Sequence, residues 1–182
     1  MASRRTLRRV AIIVAAVAVV GGVTAGVVIS ASRPKTLPGL QTGPAPWAPE
    51  LDHLRQRLTA LGLPAAASMA QTLHIHAHLE VFVDGTRVEV PANIGINQTQ
   101  GFLTSLHTHD ATGIIHIESP TVRTFTLGEV FDVWGVRFTP DCLGGYCSSG
   151  NKVLRIFVNG KPVAGDPRLV TLLKLTDRVW RW

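Results

Sequence analysis

The sequence predicts a mainly β protein: a small antiparallel β-sandwich or barrel with one or two short helices, preceded by a single transmembrane helix. Apolar and polar residues alternate from Leu73 to Asp84, which is the period of a strand with one buried face. The dipeptides Asp84-Gly85 and Asn159-Gly160 follow strand-like runs and are typical of two-residue hairpin turns. Residues 10–29 contain no charged side chain, which is typical of a membrane-spanning helix.

The N-terminus has the pattern of a signal anchor. A basic tail, residues 1–9, precedes the apolar run 10–29, which at ~1.5 Å per residue spans the ~30 Å hydrocarbon core. The tail is then cytoplasmic by the positive-inside rule, and the rest of the chain is extracytoplasmic. Cleavage near Ser30-Ala31-Ser32 is the alternative, although signal peptides have a shorter apolar run of ~7–15 residues. We therefore expect a single-pass protein of the cell membrane.

A proline-rich linker is expected between the membrane and the domain. Residues 30–49 contain five prolines and show no hydrophobic periodicity, which is typical of a semi-rigid linker. Residues 50–182 are then the extracytoplasmic β-rich domain that carries the histidine cluster.

Two short helices and a last strand are predicted in this domain. Leucines at helical spacing indicate the first helix over 50–61. Thr126 and Glu129 fit a capping box at the start of the second helix, and Gly135 ends it. The apolar run 169–175 predicts the last strand.

The charge distribution excludes nucleic acid as a partner. The formal net charge is +6, but four of the eighteen basic residues precede residue 10 and all twelve acidic residues follow residue 32. The remaining surplus of about two positive charges includes no basic patch interleaved with aromatic residues, which nucleic-acid binding needs. The expected partners are the membrane and a metal ion, and the sequence does not tell whether the domain has a protein partner.

Cys142 and Cys147 are the two cysteines. In an oxidising compartment such a close pair is most simply a disulfide, and the two glycines between them let the short loop close. Metal ligation by this pair is the alternative.

Six of the seven histidines fall between residues 74 and 116. His74, His76 and His78 leave the same face of a predicted strand, because successive side chains alternate between faces. Neighbouring members begin about 7 Å apart, so two of their imidazoles can meet one ion. The other face of this strand is apolar and is expected to face the core.

His107, His109, His116 and Glu118 form a second group, on two predicted strands joined by a turn at 110–113. In one register His107 faces His116. A shift of two residues places His109 against His116 and His107 against Glu118. Either register keeps all four on one face, since the side-chain period is two. Four nitrogen and oxygen donors are what zinc or another divalent transition metal requires.

These groups favour metal binding, with all seven residues as candidate ligands. A neutral hydrogen-bonded histidine network, or surface histidines that sense pH, are the alternatives. Imidazole and carboxylate donors suit copper(II), zinc, iron(II), manganese(II) or nickel(II). Copper or zinc is the expected ion, and the usual affinity order favours copper. Met69 is the only methionine after the apolar run, so thioether capture of Cu(I) is not favoured.

The function expected from this site is capture, buffering or delivery of a metal ion outside the cytoplasm. A metal-dependent oxidoreductase with an open coordination position is one alternative, and a structural or interaction module with a polar histidine core is another. The sequence contains no arrangement typical of a serine nucleophile, a phosphate-binding loop or a paired-carboxylate glycosidase, so it predicts no catalytic residue.

Over residues 73–165 the sequence resembles a family of uncharacterised prokaryotic proteins that are membrane-anchored or secreted. The resemblance rests mainly on His74-Ile-His-Ala-His-Leu79 and on Leu106-His-Thr-His-Asp-Ala-Thr-Gly-Ile-Ile-His-Ile-Glu-Ser-Pro120. Shorter matches are the Ile-Gly-Ile at 94–96 and the segments 124–128, 132–135 and 142–147. The resemblance implies relatives with the same histidine arrangement, and it brings no established activity.

Overall fold

The structure is a computed structural model that describes residues 36–69 and 71–172. The predicted basic tail, transmembrane helix and alternative cleavage site lie outside the described residues, as do positions 173–182. Within the described ranges, no helix is both long and apolar enough to cross a membrane.

The described elements are short. In chain order they are α1 (Leu54–Leu61), β1 (Leu73–His78), β2 (Val81–Val83), β3 (Thr86–Val88), β4 (Ile96–Asn97), β5 (Phe102–Leu103), β6 (Leu106–His107), β7 (Ile114–Ser119), α2 (Leu127–Trp134), β8 (Cys142–Leu143), β9 (Tyr146–Cys147), β10 (Phe157–Val158), β11 (Lys161–Pro162) and a 3-10 turn (Pro167–Leu169).

The strands pair in antiparallel fashion throughout. β1, β7 and β6 form a three-stranded sheet in that order, with β7 in the centre. β2–β3, β4–β5, β8–β9 and β10–β11 are two-stranded hairpins. The prediction of a mainly antiparallel β fold with two short helices is therefore confirmed.

Both predicted hairpin turns are present. Asp84 and Gly85 have φ angles of 48° and 79°, and Asn159 and Gly160 have 54° and 74°. Two consecutive residues with positive φ match the twist of the paired strands, which explains the Asp-Gly and Asn-Gly sequences. The first strand is shorter than the alternation suggests. β1 ends at His78 and pairs with β7, whereas β2 begins at Val81 and pairs with β3.

The first helix begins later than the leucine spacing predicts. Glu50 lies ahead of the helix, where its carboxylate accepts a hydrogen bond from the backbone N–H of His53 and pairs with the buried Arg57 guanidinium. These contacts hold a turn before the helix, so α1 starts at Leu54 and His53 is its N-cap.

The second helix is as predicted. The Thr126 hydroxyl accepts from the backbone N–H of Glu129, and the Glu129 carboxylate accepts from that of Thr126 at 2.8 Å. Gly135 ends α2 in the left-handed conformation, with φ of 81°. The capping box and the glycine together account for both ends of the helix.

The prediction of a linker up to residue 49 is wrong for residues 36–49. Trp47 is 2% exposed and its backbone carbonyl accepts a hydrogen bond from the Trp134 indole. Gln41 exchanges backbone hydrogen bonds with Gly135 and Arg137. A buried tryptophan removes a large apolar area from water, so this segment packs as part of the domain.

The sheet has one apolar face directed at the core. Ile115 and Ile117 of β7 and Leu106 of β6 are buried in the same apolar cluster as Phe131 and Trp134 of α2. Because side chains alternate along a strand, the histidines of these strands leave from the opposite face. The core thus fixes the sheet on which the candidate site is built.

Candidate metal centre

His116 occupies the centre of a row of three histidines across the sheet. It is paired with His76 of β1 on one side and with His107 of β6 on the other. Glu118, two residues further along β7, is paired with His74. Of the two registers open from the sequence, the structure has the one in which His107 faces His116.

The turn between β6 and β7 brings a fourth histidine to this row. Asp110 Oδ1 accepts a hydrogen bond from Thr112 N at 3.0 Å, which closes a tight local turn. The Thr112 hydroxyl donates a second hydrogen bond to the same oxygen. This side-chain hydrogen bond, followed by the backbone one, lowers the pKa of Asp110. His109 lies in this exposed turn, and its ring centroid is 4.5 Å from that of His116.

One group of possible ligands consists of His74, His76 and His116, which each offer a nitrogen within 4.8 Å of the others. Within it, His76 Nε2 lies 3.1 Å from His116 Nδ1. The His74 and His76 rings lie 4.8 Å apart between centroids. We call this set the β1 triad.

A second group consists of His107, His109 and His116, with nitrogens that are also within 4.8 Å of one another. The His107 and His116 rings are stacked at 5.3 Å, with 15° between their planes. We call this set the β6 triad. Both triads contain His116.

His107 is held in one tautomer. Its Nδ1 lies 2.9 Å from the backbone oxygen of Thr104, and a carbonyl oxygen accepts hydrogen bonds only, so Nδ1 carries the proton. The lone pair of Nε2 is then free to bind a metal. An imidazole that donates its other N–H to a backbone carbonyl is the usual arrangement at metal sites.

Glu118 lies between the two triads. Its Oε1 is 3.4 Å from His74 Nε2 and 3.9 Å from both His107 Nε2 and His116 Nδ1. Glu118 is 8% exposed, so little water reaches its carboxylate. The carboxylate thus lies within 3.9 Å of a nitrogen of three imidazoles of the cluster.

Two of the imidazoles are neutral at neutral pH. Burial, followed by repulsion from His76, His109 and His107, lowers the pKa of His116 to about 4. Burial also lowers the pKa of His107, which is 1% exposed. Neutral imidazole is the form that can bind a metal, so neither group would have to lose a proton to bind an ion at pH 7.

His78 and Glu118 are the predicted ligands that belong to neither triad among the described residues. The Nε2–H of His78 donates to the backbone oxygen of Thr112 at 3.0 Å, which directs it to the β6–β7 turn. His78 therefore fastens that turn to β1.

Sequence reasoning missed two groups that orient the histidines. One is the Thr104 carbonyl, and the other is Gln71, whose Oε1 lies 3.2 Å from His74 Nδ1. A backbone carbonyl leaves no signal in the sequence, because every residue has one. Gln71 is three residues before His74, but a glutamine at that spacing is too common to be informative.

The predicted disulfide is present. Cys142 and Cys147 are bonded to each other, and the described residues contain no free cysteine. They are paired residues of the β8–β9 hairpin, and Arg137 Nη2 lies 3.2 Å from Cys147 Sγ. With both sulfurs in the disulfide, metal ligation by this pair is not realised in the structure.

Comparison with known proteins gives no match: no protein-family model fits the chain, and no curated protein or solved structure is significantly similar to it.

Proposed function

We propose that this protein binds a divalent transition metal, copper(II) or zinc, through its clustered strand histidines, and serves in capture, buffering or delivery of that ion. We propose further that residues 10–29 anchor it in the cell membrane with its domain extracytoplasmic. We also propose that the small sheets pack as a β-sandwich or barrel. The histidine motifs further suggest that the protein is related to the membrane-anchored or secreted family that they resemble.

The observation that carries this proposal is the convergence of three imidazoles in the β6 triad, with donor nitrogens within 4.8 Å of one another. His107 is fixed by Thr104, His116 is fixed on the central strand, and His109 reaches them from an exposed turn. Two ligands are thus in place before the ion arrives, and the third is open to solvent. An ion could therefore enter from solvent at His109 and bind to two ligands that are already held in position.

The spacing of the imidazoles suits a small divalent ion. In a tetrahedral site with metal–nitrogen bonds of ~2.0–2.1 Å, two ligating nitrogens are ~3.3 Å apart. His76 Nε2 and His116 Nδ1, at 3.1 Å, already have nearly this separation. The donor nitrogens of each triad lie within 4.8 Å of one another, so those that are further apart than ~3.3 Å would move closer to share an ion.

The donors favour copper(II) or zinc over other classes of ion. The cluster offers imidazole nitrogens and the carboxylate of Glu118, whereas calcium and magnesium prefer an all-oxygen shell. The cysteines are bonded to each other, so thiolate capture of Cu(I) has no donor in the described residues.

The proposal is tested by titrating the untagged full-length chain, in detergent, with Cu(II) and with Zn(II). His109→Ala removes an exposed ligand with little effect on folding and should weaken the first binding step about a hundredfold, since even residues behind the ligands contribute 10–100-fold. His53→Asn is the matched control, because asparagine keeps a favoured helix N-cap and His53 belongs to neither triad. Equal affinities for the wild type and His109→Ala would contradict the proposal.

A metal-dependent oxidoreductase is the second candidate. Three imidazoles leave the fourth position of a tetrahedral ion open, as catalytic sites require, and the exposure of His109 makes that position reachable. Dismutation or reduction of oxygen species by the copper-loaded chain, lost in His109→Ala, would support this function over simple capture.

A polar histidine core is the third candidate. It is favoured by the hydrogen-bonding partners that His76, His107 and His78 already have without an ion. In that case the same substitutions would destabilise the metal-free protein by leaving buried partners unpaired, and would change no metal affinity.

A further inference from the structure

We infer that the histidine face holds two metal ions, one in each triad, with the imidazole ring of His116 bridging them. This inference rests on the proposed metal binding and adds to it a dinuclear centre with an imidazolate and a carboxylate between the ions.

The sheet topology separates the two triads. β1 and β6 lie on opposite sides of β7, and neighbouring strands are ~4.8 Å apart, so the outer strands are ~10 Å apart. His76 and His107 flank His116 in one row across these strands. An ion between His76 and His116 is therefore on the other side of His116 from an ion between His107 and His116.

The chemistry of imidazole allows both ions to share His116. Its two ring nitrogens point in diverging directions, so a single ion coordinates only one of them. Nδ1 faces His76 Nε2 at 3.1 Å and is assigned to the β1 triad. Nε2 is then assigned to His107 and His109, whose ring centroids are 5.3 and 4.5 Å from that of His116.

Two divalent ions repel each other, and Glu118 is placed to offset this repulsion. Its Oε1 is within 3.9 Å of a nitrogen of His74 in the β1 triad, of His107 in the β6 triad, and of the shared His116. The bridge forms when neutral His116 releases its N–H proton to solvent as the second ion binds. No electron is transferred, and imidazolate and carboxylate together supply two negative charges between the ions.

The two sites should fill in order. Each triad has one exposed member, but only the β6 triad has a buried one, His107, whose orientation is fixed by Thr104. A pre-oriented ligand loses less conformational freedom on binding. The first ion is therefore expected in the β6 triad, and the second, weaker one in the β1 triad.

The test is the zinc content of the untagged full-length chain after equilibrium dialysis in detergent, with circular dichroism as the check on folding. The wild type and the His53→Asn control should hold two zinc ions per chain, and His76→Ala and His109→Ala should each hold one. One ion in the wild type and none in His109→Ala would overturn the dinuclear centre and leave the proposed function standing. No ion in the wild type would overturn both.

The bridge itself is tested with copper. Exchange coupling through an imidazolate pairs the spins of two Cu(II) ions, so the electron paramagnetic resonance signal should grow up to one equivalent and decline toward the second. His76→Ala should show the full signal of a single isolated ion. A wild-type signal that grows in proportion to two equivalents would mean two independent ions and would overturn the bridge.

Discussion

His76 Nε2 lies 3.1 Å from His116 Nδ1, across neighbouring strands of the sheet. Two nitrogen lone pairs at this separation repel each other unless a proton or a metal ion lies between them. The pair is fixed by strand register and not by a flexible loop. The same geometry serves as a hydrogen bond in the metal-free protein, and under the proposed function it would form one edge of a coordination shell.

The metal-free protein should lose stability in mild acid. Burial is the first cause of the lowered pKa of His116, about 4, whereas an unfolded histidine titrates near ~6.5. Between these values the unfolded chain binds more protons, so the free energy of unfolding falls as the pH drops. This stability is fully present above pH ~6.5, and on the order of 1–2 kcal/mol of it is lost by pH ~5, allowing for partial exposure of the ring.

The measurement is urea denaturation of the metal-free protein at about pH 7 and about pH 5, for the wild type and for His116→Asn. The variant has no titrating ring at this position, so its free energy of unfolding should depend less steeply on pH. An identical pH dependence in both proteins would contradict a neutral, half-buried imidazole at His116.

The disulfide should contribute to stability without contributing to metal binding. Replacing Cys142 and Cys147 together by serine opens a short loop and should cost about 2 kcal/mol in free energy of unfolding. Metal stoichiometry should be unchanged, since neither sulfur belongs to a triad. Two titratable thiols in the native wild-type protein, or loss of an ion in the double variant, would count against this account.

The chain should be inserted once in the membrane with its domain outside. A reporter fused after Trp182 should be active only on the extracytoplasmic side, and mass spectrometry of the mature chain should find the arginine-rich N-terminus intact. A mature N-terminus near Ala31 or Ser32 would replace the anchor by a cleaved signal peptide, and export would still hold.

The common face of the histidines could be predicted, because it depends only on the side-chain period of two. The choice between registers could not, since a shift of two residues keeps the same side chains on the same face. The Asp110–Thr112 turn and the φ of 85° at Gly113 select the register in which His107 faces His116. Such turn details depend on backbone geometry that composition does not specify.

Other features depend on tertiary contacts and have no local signal. The burial of Trp47 draws a proline-rich segment into the domain, contrary to the linker that composition favours. His78 follows the same period as His74 and His76, yet its imidazole donates a hydrogen bond to the Thr112 carbonyl and joins neither triad. Spacing along a strand identifies candidates, and the neighbouring strand decides which of them meet.

Metal content is the most direct test of the central claim. The untagged full-length chain, dialysed against Cu(II) or Zn(II) and then against metal-free buffer, should retain metal. A folded variant that lacks His107, His109, His116 and Glu118 should retain at most what nonspecific binding provides. Retention in the wild type that is no greater than in this quadruple variant, for both metals, would contradict metal binding by the histidine cluster.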